Sequence, residues 1–197
     1  MTIDQQFSRL IEFIAYIDQL KSVTRMNGLF DGSRAETTGE HSWHAALSAV
    51  LLSPYANFPV DVNKVIRMLL IHDLVEIEAG DTFVYDQVGV AQQAQAEARA
   101  ANTVFSQLPE QKAKSLRALW DEFEARESHD AKFAKAIDRF LPLFSNMYNG
   151  GFSWGKHGIT QGQVREICQI IQDGSQQLWA LADEMITEAV RKGFLLP

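Results

Sequence analysis

Apolar residues recur every three or four positions through most of this chain, a spacing that places them on one face of an α-helix. Phe7, Leu10, Ile11 and Ile14 show this spacing near the N-terminus. Strand-like alternation is not sustained anywhere, and no hairpin dipeptide is flanked by β-branched runs. The periodicity predicts helices over residues 4–21, 42–53, 61–79, 87–107, 109–127, 129–148 and 160–191. We therefore predict an all-α protein built as a helical bundle.

The length, charge and cysteine content restrict the class of protein further. A chain of 197 residues suits a single domain with a buried core, and nowhere do eighteen apolar residues run together as a membrane span requires. The net charge of −7 argues against binding to a nucleic acid polymer or an anionic membrane, which needs a basic surface. The one cysteine, Cys168, cannot form an internal disulfide and is predicted to be a small buried or half-buried helix residue. We therefore expect a cytoplasmic protein without a membrane partner.

Two glycine-containing segments interrupt the helical pattern and have compositions suited to shaping a pocket. Residues 24–40, TRMNGLFDGSRAETTGE, and residues 149–159, NGGFSWGKHGI, each mix glycine with cations, aromatics and amides. Both are predicted to be loops. In the last helical segment, Gly174 is expected to divide the helix in two.

The stretch IHDLVEIEAGD, residues 71–81, places a histidine and several carboxylates directly after an apolar run. On a predicted helix His72 and Asp73 border one cavity, and Glu76 lies one turn above His72. Asp73 lies at the edge of the apolar stripe, where a carboxylate would lose hydration unless it binds a metal or pairs with an arginine. A solvated helix end is a further alternative for this stretch.

Two more positions add to a candidate metal site. His41 lies at the mouth of an apolar helix, with His44 one turn later, so either imidazole could be a ligand. Asp138 lies among apolar residues of a helix that Pro142 is expected to kink, because proline lacks the N–H that would bond the Asp138 carbonyl. A surface pair of Asp138 with Arg139 is the alternative. Two imidazoles and two carboxylates suit a divalent first-row ion better than the thiolate-rich sites of structural zinc.

In this order, His41, His72, Asp73 and Asp138 resemble the signature of the HD-domain metal-dependent phosphohydrolases. The resemblance is greatest to the branch that contains the bacterial 5′-deoxynucleotidases and their eukaryotic HD-domain relatives. In that branch the central helix reads roughly H-D-x-x-E-x-x-x-x-D, and residues 72–81 reproduce this pattern in full.

The resemblance implies a fold, a cofactor and an activity. It covers about residues 5–150 and implies one HD domain over residues 1–197, with a metal-binding core and the helical segment 160–191 packed on it. The implied cofactor is one divalent ion, either Mn²⁺, Co²⁺, Mg²⁺, Ni²⁺, Zn²⁺ or Fe²⁺. The implied activity is hydrolysis of nucleoside 5′-monophosphates by a protein that is frequently a homodimer. The implied metal ligands are His41, His72, Asp73 and Asp138.

The resemblance and the mechanism that it implies assign roles to other residues as well. Glu76 and Asp81 would position and deprotonate the attacking water, and Arg25 would bind the substrate phosphate. Further substrate contacts are predicted for Arg34, His44, Lys156 and His157. Family members carry a tryptophan near the nucleoside sugar soon after the arginine, whereas the segment that follows Arg25 contains none. Recognition of the sugar is therefore expected to differ.

Two alternatives stay open at this point. The first is an HD hydrolase that acts on another phosphate ester, a nucleotide pyrophosphate or a phosphonate, which the altered segment after Arg25 would fit. The second is a non-catalytic HD protein that binds a nucleotide or a metal. Such a protein would not need Glu76 and Asp81, which are both present.

Overall fold

The computed structural model describes residues 3–197, and for residues 87–91 it describes the backbone alone. The helices are α1 (Ile3–Ile17), α2 (Thr38–Leu52), α3 (Val62–Ile71), α4 (Glu76–Ala79), α5 (Gln87–Ser106), α6 (Glu110–Ala125), α7 (His129–Tyr148), α8 (Phe152–His157), α9 (Gln161–Cys168), α10 (Ile171–Gly174) and α11 (Gln176–Arg191). The remaining elements are the 3₁₀ helices Asp18–Ser22 and Ser53–Tyr55 and the strands β1 (Thr24–Gly28) and β2 (Ala35–Thr37). None of the described helices has both the length and the apolar character needed to cross a membrane. The all-α prediction is confirmed.

Helix α7 lies at the centre of the bundle and packs against α2, α3, α6, α10 and α11. Its N-terminus is capped by the Ser128 side chain, which accepts a hydrogen bond from a backbone amide of the first turn. Phe133, Ile137 and Phe140 of this helix are buried, and so is Asp138. The sequence therefore places a carboxylate in the apolar centre of the bundle, where it needs a partner.

Helix α2 begins at a capping box, and this box positions the histidine of its first turn. Thr37 Oγ1 accepts a hydrogen bond from the Glu40 amide, and the Glu40 carboxylate accepts one from the Thr37 amide at 2.9 Å. The box fixes where the helix starts, and His41 then faces the core and is buried. The helix packs on α3, whose N-cap residue Asp61 accepts a hydrogen bond from the Lys64 amide.

The chain leaves the α-helical path between α3 and α4, where the periodicity predicts one helix over residues 61–79. That prediction is wrong, because residues 72–75 form turns. The His72 Nδ1 bonds the Leu69 carbonyl at 2.9 Å. This carbonyl is the acceptor that a continuing helix would offer to the Asp73 amide, so the side chain competes with the helical ladder.

The segment 24–40 is not a loop throughout, because β1 and β2 form a small antiparallel hairpin within it. Strands this short show too little alternation to be recognised in the sequence. The other predicted loop contains α8 and meets the hairpin, since Asn149 Nδ2 donates to the carbonyl oxygens of Gly28 and Leu29, each at 3.1 Å. A Cβ on Gly28 would lie 2.8 Å from the Phe152 ring, so only glycine leaves room for that ring.

The C-terminal segment packs as three helices, α9, α10 and α11. Gly174 ends α10, as the sequence predicts, and the Ser175 side chain caps α11. A Cβ on Gly174 would overlap the Lys132 carbonyl oxygen and lie 2.7 Å from the Ala136 Cβ, and both of these atoms belong to α7. The glycine thereby lets α10 approach the central helix closely. Cys168 of α9 is buried, as predicted.

Candidate metal centre

Four side chains from separate parts of the chain meet beside a cavity. His41 comes from α2, His72 and Asp73 from the turn after α3, and Asp138 from α7. His41 Nε2 lies 3.0 Å from Asp138 Oδ1, and His72 Nε2 lies 3.5 Å from the same oxygen. His72 Nε2 is also 3.1 Å from Asp73 Oδ2. The structure therefore brings together the four residues that the sequence singles out as ligands.

His72 is held in an orientation that suits a metal ligand. Its Nδ1 lies 2.9 Å from the Leu69 carbonyl, which can only accept, so Nδ1 carries a proton and Nε2 faces the carboxylates. Among the described residues, this buried Nε2 makes no well-aligned hydrogen bond, although two carboxylate oxygens lie within 3.5 Å of it. The Trp120 indole donates to the His72 carbonyl at 3.0 Å, and the Phe123 ring centre lies 5.0 Å from that of the imidazole. A buried nitrogen that is fixed between carboxylates fits a cation.

The two histidines differ in charge because their neighbours differ. Burial, together with Arg25, lowers the pKa of His41 to about 4, so this imidazole is neutral at neutral pH. Burial also opposes the charged form of His72, but Asp73 and Asp138 prevail and raise its pKa to about 10. The neighbouring cations hold the pKa of both carboxylates below ordinary values in spite of burial. The two carboxylates thus stabilise a proton on His72 Nε2, and a divalent ion would take the place of that proton.

Two further acids lie next to this group. Glu76 is buried, and the Thr38 hydroxyl donates to its Oε2 at 2.8 Å. Burial and the nearby Asp73 raise the pKa of Glu76 to about 9. Burial also raises the pKa of Asp81, against the effect of Arg25. Without a cation Glu76 therefore keeps its proton at neutral pH, and the positive charge of a nearby divalent ion would favour its ionised, proton-accepting form.

Arg25 of β1 reaches into the middle of these acids. Its Nη1 lies 2.9 Å from Asp73 Oδ2, and its side chain is 11% exposed. Three more carboxylates lie within 4.0 Å of the guanidinium, those of Glu36, Glu76 and Asp81. In spite of burial, Asp73, Glu76 and Asp81 raise the pKa of Arg25 above its ordinary value. The guanidinium thus neutralises acids that would otherwise repel one another.

A cavity of about 240 Å³ lies beside these groups. Part of its lining is the cluster just described, formed by His72, Asp73, Glu76, Asp81 and Asp138. Cationic side chains also line the cavity, namely Arg25, Arg126, Lys135 and Arg139. The rest of the lining includes amides and aromatic rings, among them Asn27, Asn146, Tyr85 and Trp154. Both glycine-containing segments contribute to this lining, and its mixed chemistry suits a phosphorylated polar molecule.

Two of the predicted substrate contacts lie outside the cavity lining. Arg34 is exposed, and its Nη1 donates to the Glu40 carboxylate at 2.8 Å, which ties it to the first turn of α2. His44 is half-buried, with its ring centre 5.7 Å from that of Phe30. Burial lowers the pKa of His44. The structure does not bring Arg34 or His44 to the metal centre, because each is engaged by another neighbour.

Lys156 and His157, the other two predicted substrate contacts, occupy the end of α8 and are exposed. The His157 ring centre lies 4.6 Å from that of Phe83, which is a residue of the cavity lining. The two side chains are therefore at the surface next to the cavity, and neither forms part of its lining. The short helix explains this placement, since its last turn ends at the surface.

Among the charged residues that the sequence did not single out, Glu36 and Lys135 lie nearest to the proposed ligands. Glu36 of β2 is buried, with its Oε2 3.7 Å from His41 Nδ1 and 3.7 Å from Arg25 Nε, and burial raises its pKa to about 7. Lys135 Nζ lies 3.1 Å from Asp138 Oδ2. The spacing of three residues between Lys135 and Asp138 is a usable signal, because it places both on one helix face. No local pattern marks a buried acid in a three-residue strand.

The sequence of this chain can also be compared with known protein families. A model of the HD domain matches residues 17–179, which is most of the chain, and the chain belongs to that family. The resemblance drawn from the sequence is thereby confirmed.

Three individual proteins that are similar to this chain can be compared with it in more detail. The crystal structure of a predicted metal-dependent phosphohydrolase from Magnetospirillum magnetotacticum MS-1 is 44% identical, with a TM-score of 0.93, and the match covers 98% of this chain and 96% of that one. The human 5′-deoxynucleotidase HDDC2 is 28% identical over 131 residues, which are 66% of this chain and 63% of the human protein. The match therefore spans less than two thirds of the human relative. The Schizosaccharomyces pombe 5′-deoxynucleotidase hdd1 is 21% identical over 190 residues, which are 87% of this chain and 92% of the yeast protein.

Proposed function

We propose that this protein is a divalent-metal-dependent phosphohydrolase that converts nucleoside 5′-monophosphates to nucleosides and inorganic phosphate. The observation that carries the proposal is the meeting of His41, His72, Asp73 and Asp138 next to a cavity that the last three of them and Glu76 line. Similarity to the 5′-deoxynucleotidases named above supports the substrate class. The cations, amides and aromatic rings of the cavity lining support it as well.

The proposed ligands of a single divalent cation are His41, His72, Asp73 and Asp138. One candidate ligand atom from each of His41, His72 and Asp73 lies within 4.8 Å of the others, and Asp138 Oδ1 faces both imidazoles. Mixed imidazole and carboxylate donors accept Mn²⁺, Co²⁺, Mg²⁺, Ni²⁺, Zn²⁺ or Fe²⁺. When bound, the cation supplies positive charge to a phosphate oxygen and lowers the pKa of water.

Glu76 is the proposed acceptor of the water proton. The Thr38 hydroxyl bonds its Oε2, which fixes the carboxylate and leaves Oε1 free of that bond, 4.0 Å from Arg25. Asp81 lies 3.9 Å from the same guanidinium and is proposed to orient the water or the substrate. The charge of Arg25 lowers the electrostatic cost of bringing an anionic phosphate towards these carboxylates.

Phosphate release from a panel of phosphate compounds tests the proposed function. Protein that is stripped with a chelator and reloaded with Mn²⁺ is expected to release phosphate from one or more nucleoside 5′-monophosphates, and the stripped protein is not. Glu76→Gln should keep the metal and lose about 100-fold or more of the rate. Glu78→Gln is the matched control, because Glu78 is exposed and bonds the Tyr16 hydroxyl outside the cavity lining. It should keep the wild-type rate.

The panel also contains sugar phosphates, nucleotide pyrophosphates and phosphonates. Release from one of these compounds but from no mononucleotide would replace the proposed substrate class. Release from none of them, by protein shown to contain metal, would contradict the proposal of a hydrolase.

We also propose that the protein is a cytoplasmic homodimer. Ile3, Phe7, Ile11 and Ile14 of α1 are each at least 50% exposed, and an apolar stripe of this kind is stabilised by burial against a second copy. The single buried thiol of Cys168 suits a reducing compartment. Light scattering should give about twice the chain mass of 22.2 kDa, and a mass of one chain at every concentration would contradict the dimer.

A further inference from the structure

Lys135 is a cation of the cavity lining to which the mechanism above assigns no role. It lies on α7 one turn before Asp138, and its Nζ is 3.1 Å from Asp138 Oδ2. The side chain is 12% exposed, and Nζ lies 4.6 Å from the centre of the Phe123 ring. The ammonium is therefore held between a carboxylate and an aromatic face while it lines the cavity.

The two carboxylate oxygens of Asp138 face different partners. Oδ1 lies 3.0 Å from His41 Nε2 and 3.5 Å from His72 Nε2. Oδ2 lies next to the Lys135 ammonium. The lysine thus contacts one proposed ligand, Asp138, directly, and the Asp138 carboxylate lies between it and the two histidines. His72 and Lys135 line the same cavity, so a phosphate bound beside His72 would share that space with the lysine.

The other cations of the cavity are less suited to bind a phosphate. Arg25 already has four carboxylates around its guanidinium, the nearest at 2.9 Å. Arg126 is exposed and the Arg139 side chain is 30% exposed, so water and salt screen their charges. Lys135 is less exposed, and within the described part of the chain one carboxylate lies within 4.0 Å of its ammonium, which has three N–H donors. Lys135 therefore has N–H donors that the Asp138 carboxylate does not use.

We propose that Lys135 binds the substrate phosphate directly, by donating a hydrogen bond from its ammonium to a phosphate oxygen. This inference rests on the proposed function, since it takes a phosphate-bearing molecule as the occupant of the cavity. The competing explanation is that Lys135 only holds Asp138 in place as a ligand. If Lys135 binds the phosphate, its loss weakens phosphate binding. If Lys135 only holds Asp138 in place, its loss weakens metal binding.

Inorganic phosphate is the probe that separates the two explanations. It is titrated calorimetrically into the full-length, Mn²⁺-loaded protein, and Mn²⁺ affinity is measured in a second titration. Lys135→Met should weaken phosphate binding about tenfold or more, because a charge-assisted hydrogen bond is lost. Methionine keeps the length of the side chain and a favourable contact with the Phe123 ring, so the fold should persist. The Mn²⁺ affinity should change less than about threefold, which is under about 1 kcal/mol.

Two further variants complete the experiment. Lys135→Arg restores the charge and should recover most of the phosphate affinity. Lys132→Met is the matched control, because Lys132 lies one turn earlier on α7 and outside the cavity lining. It should bind phosphate and Mn²⁺ as the wild type does. If Lys135→Met does not fold, as judged by circular dichroism, Lys135→Gln takes its place in the same titrations.

Wild-type phosphate affinity in the folded lysine variant would overturn the proposal. A parallel loss of Mn²⁺ and phosphate affinity would also overturn it, because Lys135 would then act only through Asp138. Failure of the wild type to bind phosphate at all would be a third contradiction. These titrations do not depend on turnover. A protein that binds phosphate through Lys135 but hydrolyses no nucleotide would therefore contradict the proposed function. The same result would support the contact between Lys135 and phosphate.

Discussion

Replacement of Gly174 with alanine tests how closely α10 packs against the helix that carries Asp138. The added Cβ would overlap the Lys132 carbonyl oxygen and lie 2.7 Å from the Ala136 Cβ. Carbon atoms pack best at separations of about 3.5–4.0 Å, so one of the two helices must move by about 0.8 Å. The carbonyl oxygen belongs to the backbone and cannot rotate away, so the movement is of a helix rather than of a side chain.

Overpacking of a close-packed interior costs about 1–3 kcal/mol, and a backbone clash belongs in the upper part of that range. We therefore expect Gly174→Ala to lower the free energy of unfolding by about 2–3 kcal/mol. For a chain of this size, the Tm should fall by about 4–12 °C, measured by calorimetry on the metal-free protein. Because Asp138 lies two residues after Ala136 on α7, the affinity for Mn²⁺ should fall as well.

Gly162→Ala is the matched control for this experiment. The nearest atom to its added Cβ is 3.9 Å away, which is an ordinary contact. Gly162 lies in α9, and alanine is a better helix former than glycine by up to about 1 kcal/mol. Its Tm should stay the same or rise. Equal Tm values for Gly174→Ala and the wild type would refute the reasoning, since α10 and α7 would then have room for a methyl group.

Three further predictions concern the metal centre. Asp73→Asn should abolish the rise in Tm that Mn²⁺ produces in the wild type, which reflects about 2.7 kcal/mol at a metal concentration of 100 times Kd. Trp120→Phe should lower the free energy of unfolding by about 1–3 kcal/mol in urea titrations, because it leaves the buried His72 carbonyl without the indole donor. The chelator-treated protein should lose stability in urea as the pH rises from about 6.5 to about 10. Folded His72, with a pKa of about 10, keeps a proton that the unfolded chain releases above about 6.5.

Each of these predictions has an outcome that contradicts it. A full Mn²⁺ effect in Asp73→Asn would remove this residue from the ligand set. Unchanged unfolding of Trp120→Phe would mean that the indole hydrogen bond contributes nothing to stability. His72→Gln should reduce the slope of the free energy of unfolding against pH. An equal slope in both proteins would assign the dependence to Glu76, whose raised pKa of about 9 also lowers stability as the pH rises.

Structural features that depend on a single stretch of the chain could be predicted from the sequence. An amphipathic helix buries one face whatever it packs against, so the apolar periodicity indicates the long helices without knowledge of their neighbours. The candidate ligands are also visible in the sequence, because His72-Asp73 and Asp138 are polar groups within apolar helical patterns. The structure brings them together with His41, although their binding of a metal stays a prediction.

Features that depend on contacts between segments could not be read from the sequence. The helix α3 ends where the His72 ring bonds the Leu69 carbonyl, and helix propensity does not encode a contact of this kind. Glu36 is buried because a short hairpin places it beside Arg25, and neither strand is long enough to be recognised. Arg34 lies in the same segment as Arg25, but the capping residue Glu40 engages it at the surface.

The close contact of Gly28 with Phe152 links two positions that are far apart in the sequence. The ring fills the space in which any side chain of residue 28 would have to lie, so the two residues share one fixed volume. Among homologues, a bulky residue at position 28 should therefore be accompanied by a small one at position 152, and the pair should covary. Redesign of position 28 then requires residue 152 to change with it, since a side chain added at position 28 alone would overlap the ring.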